Sequence, residues 1–203
     1  MAAGKSSDFT LSRDGKLFLL TLSSDDGMNR LTRSLVVALR DEILNFQDSS
    51  SDEVPALPLL ISGFKNFSVG ADLNEIFTLT GPAAIEFAIT GQRLMDVIAN
   101  YPAPIFAFIE GHCMGGGLDL ALACHRRICA PNAIFGHRGA ALGLMTGWGG
   151  TQRLPRLVGK ARAVQMFLAA EKIDAQQAVE IGLVEAITVD PVTFVTEELS
   201  QSL

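Results

Sequence analysis

Aromatic nitrogen, thiol and imidazole groups are all scarce in this chain: its 203 residues include one tryptophan, one tyrosine, three cysteines and three histidines. Cys113, Cys124 and Cys129 form neither an even set nor a CxxC pair, which excludes a disulfide framework and a zinc ribbon. They read as buried reduced thiols of a cytoplasmic protein. His112, His125 and His137 are scattered without HExxH or Cys/His pairing, so no metal is expected. No basic run exceeds His125-Arg126-Arg127, and a net charge of −6 with a pI near 5.0 argues against nucleic acid as a partner. Long apolar runs are also missing. The longest, such as 103–109, have strand length and fall far short of a bilayer, so no membrane association is expected. Residues 1–7 lack the apolar core of a secretory signal. There is no GxxxxGKS/T phosphate loop, and residues 143–150 lack GxGxxG spacing. With no linker, repeat or low-complexity tract, a single domain over 1–203 is expected, its core at about 8–189.

What the chain does have is apolar mass, 48% of its residues, and 19 glycines. The first suffices for a full core without staples, and the second implies several tight turns or close ligand approaches. Asp14-Gly15 between the apolar stretches 9–11 and 16–22 predicts a hairpin. Residues 31–46 carry Leu35, Val36, Leu39, Ile43 and Leu44 at helical spacing. A serine-bearing polar loop over 47–53 then leads to a buried strand at 56–62. Asp72 and Glu75 have capping-box spacing, and Pro82 suits the first turn of a helix reaching Asn100. A second buried strand covers 103–110, a helix 118–124, and short strands 127–130 and 133–135. Helices follow at 149–158, broken by Pro155, and at 161–170. Asp174 caps 175–181, Gly182 ends it, 183–189 reads as a last strand, and 194–203 as a terminal helix. Strands alternating with helices imply a layered α/β fold.

Two glycine loops, 67–71 and 111–117, each follow a buried strand and precede a short helix. Such loops offer free backbone N–H groups at a helix N-terminus, and two together could hold one oxygen between two donors. Spacing alone leaves plain tight turns as the alternative.

The string Phe67-Ser68-Val69-Gly70-Ala71-Asp72-Leu73 resembles the first oxyanion loop of the enoyl-CoA hydratase/isomerase (crotonase) family, and Ile109-Glu110-Gly111-His112-Cys113-Met114-Gly115-Gly116-Gly117-Leu118-Asp119 resembles the second. Gly149-Gly150-Thr151-Gln152-Arg153-Leu154-Pro155 resembles a third signature of the same family, and the likeness runs from about Phe9 to Val189. The resemblance implies a crotonase-like spiral of ββα units with a layered sheet core and flanking helices. The chain stops soon after Val189, so the C-terminal helical part is expected to be short or absent. It implies a coenzyme A thioester as substrate, no permanently bound cofactor, and a homo-oligomer (trimer or dimer of trimers).

By position, the resemblance implies that the backbone N–H groups of Ala71 and Gly116 hold the thioester carbonyl. Gly70, Asp72, Gly115 and Gly117 then shape the substrate-binding loops, although close helix–strand packing is the alternative for the glycines. Asp119 matches the first catalytic glutamate of the family's hydratases, one methylene shorter. The second would fall at Gly139, after Phe135-Gly136-His137-Arg138, and is missing. That departure leaves hydration or double-bond isomerisation as the leading expectation. Decarboxylation, hydrolysis or acyl-CoA binding without chemistry are the alternatives. His137 or Arg138 could hold a bound anion at that place, and His137 has an intrinsic pKa suited to proton transfer. Lys65 is a candidate for coenzyme A phosphate, and Met28, in the turn Met28-Asn29-Arg30-Leu31, for the coenzyme A entrance. His125, where the family commonly has aspartate, reads as a packing or surface contact.

Overall fold

A computed structural model describes residues 8–48 and 56–201. Residues 1–7, most of the polar loop expected at 47–53, and residues 202–203 lie outside that range.

The chain opens with β1 (Phe9–Asp14) and β2 (Leu17–Leu22), paired antiparallel with Asp14 opposite Leu17. The turn therefore centres on Gly15-Lys16, and Gly15 supplies the positive φ (55°) that the first central position of such a hairpin requires. Helix α1 (Arg33–Asp48) leads to β3 (Leu59–Gly63), followed by α2 (Leu73–Thr78) and α3 (Gly81–Ala99). Next come β4 (Ile105–Ile109), β5 (His112–Met114), α4 (Gly116–Ala123), β6 (Arg126–Cys129) and β7 (Ile134–Gly136). The described chain closes with α5 (Gly150–Val158), α6 (Lys160–Leu168), β8 (Lys172–Asp174), α7 (Ala175–Glu180) and α8 (Pro191–Gln201).

One sheet runs β1-β2-β3-β4-β6, parallel from β2 onward; a smaller one runs β5-β7-β8. Successive turns of chain place one strand in each sheet and then a helix: β4-β5-α4, then β6-β7-α5. This is the layered ββα spiral anticipated from the sequence. Residues of β3 and β4 that alternate in sequence face opposite cores, as a pleat demands. Leu59, Ile61, Ile105 and Ala107 join the main cluster with Leu35 and Leu39 of α1 and Leu94 and Met95 of α3. Leu60, Phe106 and Ile128 point the other way and pack with Val195 of α8. The terminal helix, expected at 194–203, thus begins earlier, at Pro191, and covers the second face of the sheet; Arg126 ties it down through Glu198 at 2.7 Å.

Several expectations need correction. Pro155 does not break its helix: α5 runs through it to Val158. Proline removes a single N–H from a short helix, and fully buried Leu154 beside it anchors the turn in the core. No strand forms over 183–189. The segment runs beside β6, with Glu185 N–H donating to Arg127 O and Thr188 N–H to Cys129 O, but it makes one bridge, Cys129 to Ile187, before turning into α8. The helix expected at 118–124 starts at Gly116. Asp72 caps α2 by accepting from the N–H groups of Asn74 and Glu75, yet Glu75 does not reach back to it: its carboxylate accepts the N–H of Arg33 at 2.8 Å, satisfying a free donor at the start of α1.

Candidate active site

The first glycine loop leaves β3 and is fastened by Asn29, a buried residue at φ 48°. Asparagine tolerates that left-handed conformation better than most side chains. Its Nδ2 donates to the carbonyls of Phe64 (3.2 Å) and Asn66 (2.6 Å), while its Oδ1 accepts from the N–H (2.9 Å) and hydroxyl (3.0 Å) of Ser24. Fully buried Ser68 donates through Oγ to Asn29 O at 2.7 Å and accepts the N–H of Gly70 at 3.1 Å. Leu31 then pairs with Ala71 in a parallel bridge: Leu31 N–H donates to Gly70 O, and Asp72 N–H donates to Leu31 O. In such a bridge the middle residue's own N–H points away from the partner strand. That leaves the Ala71 N–H aimed toward the second loop.

The second loop is short because β5 carries the chain straight into α4. Met114 N–H donates to Ser68 O at 2.9 Å, and Gly115 N–H donates to Gly136 O at 2.9 Å. The two loops touch at Gly70, where φ is 99° and an added Cβ would fall 2.7 Å from Met114 O. Glycine is thus required there by conformation and by space. The first intrahelical bond of α4 runs from Asp119 N–H to Gly115 O, so Gly116 N–H has no partner within the helix. A Cβ on Gly116 would lie 3.3 Å from Ala71 N, which puts the two amides side by side at a helix N-terminus.

Asp119 lies one turn into α4 and is 1% exposed. Thr146 Oγ1 donates to its Oδ2 in a short hydrogen bond. Its Oδ1 has no hydrogen-bond partner and lies 3.4 Å from Nε2 of buried His137, which also has none. Burial pushes the Asp119 carboxyl up to about 7, against the lowering pull of Thr146, the positive charge of Arg153 and the backbone N–H groups of Trp148 and Gly150. Burial pushes the His137 imidazole down to about 4. At neutral pH, therefore, the imidazole is neutral and the carboxyl is near half protonation, so the contact is not an ordinary ion pair.

These groups open into one cavity of about 310 Å³. Its walls are largely apolar, with Leu73 and Ile76 of α2, Phe87 of α3, and Leu142, Leu144 and Met145 beyond β7. Of the residues singled out from sequence, Gly70, Ala71, Gly115, Gly116, Asp119 and His137 line it, as do Arg138 and Gly139. Met28, Lys65, Asp72 and Gly117 lie outside its lining. Met28 O accepts the N–H of Val69, Lys65 Nζ sits 5.2 Å from the Phe64 ring centroid, and Asp72 caps α2. Gly117 permits close packing, since a Cβ there would fall 2.6 Å from Ser68 O. His125 has a structural contact: its Nδ1 accepts the N–H of Ile105 at 3.0 Å.

Three residues of the site were not anticipated. Thr146 gives no signal in sequence, because its partner Asp119 is distant along the chain. Phe167 reads as one more apolar position of α6, yet its ring packs tilted against His137, with centroids 4.9 Å apart. Trp148 could have been noticed, since the sole tryptophan stands between Gly147 and Gly149. Among the described residues no three His, Cys, Asp or Glu side chains gather as a metal site requires.

Comparison with known proteins agrees with this fold. A model of the enoyl-CoA hydratase/isomerase family matches residues 13–202. Crotonyl-CoA hydratase of Syntrophomonas wolfei is 38% identical over 180 residues, which span 87% of this chain and 67% of that protein. The solved structure of Pseudomonas aeruginosa DspI superposes with a TM-score of 0.83 at 34% identity, covering 90% of this chain and 74% of the other. Enoyl-CoA hydratase from Thermoplasma volcanium superposes with a TM-score of 0.88 at 28% identity, covering 96% and 77%.

Proposed function

Since the chain belongs to the enoyl-CoA hydratase/isomerase family, we propose that it binds an enoyl-CoA thioester and adds water across the double bond, with Asp119 as acid/base. The observation that carries this reading is the meeting of three groups in one apolar cavity: the N–H of Ala71, the N–H of Gly116 and the carboxyl of Asp119. The thioester oxygen would accept from both amides, with the N-terminal end of α4 adding its positive potential. Charge builds on that oxygen as the β-carbon is attacked, so the amides act mainly on the transition state. One such donor is worth about 3 kcal/mol of barrier. Apolar walls exclude water from the rest of the acyl chain and strengthen these interactions. The similarity to a crotonyl-CoA hydratase supports hydration over hydrolysis or decarboxylation. Isomerisation of the double bond is the second reading, favoured by the single carboxylate lining the cavity.

Ultraviolet absorbance of crotonyl-CoA mixed with the protein tests the proposal. The conjugated enoyl signal should fall with wild type and persist with Asp119→Asn. Binding without loss of signal would redirect the reading to isomerisation or to a non-catalytic acyl-CoA binder. Exposed Val164, Leu168 and Val189 support the homo-oligomeric state, which light scattering of the purified protein would test.

A further inference from the structure

We propose that His137 is the second proton-handling residue of this site: its Nε2 and Asp119 Oδ1 hold one proton between them, the imidazole taking the proton of the attacking water and the carboxyl delivering one to the α-carbon. The inference rests on the enoyl-CoA hydratase reading above.

The starting observation is a pair of orphaned atoms. Buried polar atoms in folded proteins are almost always paired. Asp119 Oδ1 and His137 Nε2 are both buried without a hydrogen-bond partner, and they lie 3.4 Å apart. A single proton between them satisfies both. Two protons, or none, leave like groups facing each other in an apolar setting. Thr146 fixes the arrangement by engaging the other carboxyl oxygen, Oδ2, which leaves Oδ1 toward the imidazole. The imidazole is held in place from α6 by the ring of Phe167.

Backbone donors approach the carboxyl: the N–H groups of Trp148 and Gly150 favour its ionised form, and Gly150 lies beside Oδ1, yet neither closes a hydrogen bond on that oxygen. From α5, Arg153 acts on the carboxyl by charge, while its own guanidinium bonds Asp96 of α3 at 3.2 Å and Trp148 O at 3.1 Å. From the segment after β7, Arg138 is exposed and Thr146 is committed to Oδ2. From α6 the facing group is a phenyl ring. At neutral pH the imidazole is the neutral partner, ready to accept, and the carboxyl, near half protonation, is the one of the two that can carry the proton.

Chemically the cycle closes. Water attacks the β-carbon, forming the C–O bond as its O–H breaks, and its proton passes to Nε2 as the shared proton leaves Oδ1, so that the pair never holds two. The π pair moves onto the thioester oxygen, held by the Ala71 and Gly116 amides. The proton leaving Oδ1 goes to the α-carbon in the same step, forming the C–H bond as the charge held by the amides collapses. Finally the imidazolium returns its proton to the carboxylate across the 3.4 Å contact, restoring the starting state. One water is consumed, and no oxidant or further co-reactant is needed.

The test uses the intact protein with 15N-labelled histidine. In wild type the Nε2 resonance should respond to a titration near pH 7, that of Asp119, and in Asp119→Asn this response should vanish. An Nε2 resonance running identically in both proteins overturns the shared proton. In parallel, His137→Gln should lower kcat for crotonyl-CoA by about 100-fold with KM changed less than about threefold, in line with the loss of one general acid/base. An unchanged kcat in a folded His137→Gln protein removes the residue from the chemistry. If wild type itself fails to turn over crotonyl-CoA, the hydratase reading falls, while the resonance still decides whether the two side chains share a proton.

Discussion

The indole of Trp148 occupies the space a side chain on Gly91 would need: a Cβ added there would fall 2.1 Å from Nε1. The same ring abuts the second glycine loop, where a Cβ on Gly116 would fall 2.7 Å from it. Helix α3 and the paired amides therefore share one buried wedge, held by an Nε1–H bond to Phe87 O. In an exposed helix interior Gly→Ala gains about 1 kcal/mol. Here Gly91→Ala should instead cost about 1–3 kcal/mol, the usual penalty of overpacking, because a buried ring must move. Turnover should fall as well, since the ring borders Gly116. Urea unfolding and crotonyl-CoA kinetics of Gly91→Ala would check both; a stabilised variant would mean the ring yields freely.

Asn29 is the fastening of the first loop. Asn29→Ala strands the carbonyl of Asn66 and the N–H of Ser24, leaves Phe64 O with only the N–H of Asn66, and puts alanine at φ 48°. Lost pairing of buried groups costs about 1–3 kcal/mol each, partly relieved by water. The expected loss is about 2–4 kcal/mol by chemical denaturation, with turnover reduced because the Ala71 amide depends on this loop.

Much of the frame was readable from local pattern, and the reasons are specific. Asp14-Gly15 marks the hairpin because the turn needs a positive φ beside a short polar residue. Asp174 announces α7 because its side chain and that of Gln177 complete a reciprocal cap with both residues close in sequence. Strands β3 and β4 read as continuous apolar runs because both faces are covered. The second sheet was harder: β5, β7 and β8 have three residues each, too few to show an alternating pattern. Helix α5 misled because Pro155 argues locally for a break while Leu154, next to it, is decided by the core. The glycine loops were legible as loops, whereas the pairing of Asp119 with His137 and Thr146 was not. Those contacts join α4 to the segment after β7, and only the crossing of the two sheets brings them together.

Thr146→Val removes the hydroxyl that donates to Asp119 Oδ2 at almost unchanged volume. That bond stabilises the ionised carboxylate, so its loss should move the Asp119 titration upward from about 7. The variant should lose about 1–2 kcal/mol of stability at pH 8, where the carboxylate is ionised, and much less at pH 5. Carbon-13 carboxyl titration and urea curves at the two pH values would show it. An unshifted titration would mean the hydroxyl does not govern the charge.

The opposed shifts of Asp119 and His137 predict an unusual stability profile. The Asp119 carboxyl rises from 3.8 to about 7 on folding, so the native state holds a proton that the unfolded chain has released. That contribution favours folding at low pH and is lost as pH climbs from about 4 to 7. His137 does the reverse: its imidazole drops from 6.5 to about 4, so the unfolded chain binds a proton that the native state refuses. Its contribution is lost as pH falls from about 6.5 to 4. Between those limits the pair carries one proton whether folded or unfolded, and the two slopes cancel. Wild type should therefore show little dependence on pH from these residues between about 4.5 and 6.5. Asp119→Asn should uncover the histidine alone and grow more stable as pH rises through that window. His137→Gln should uncover the carboxyl and grow less stable over the same range, each with a slope approaching 1.4 kcal/mol per pH unit. Urea unfolding of the three proteins at half-unit pH steps would measure it, and parallel profiles would mean that the two side chains do not titrate against each other.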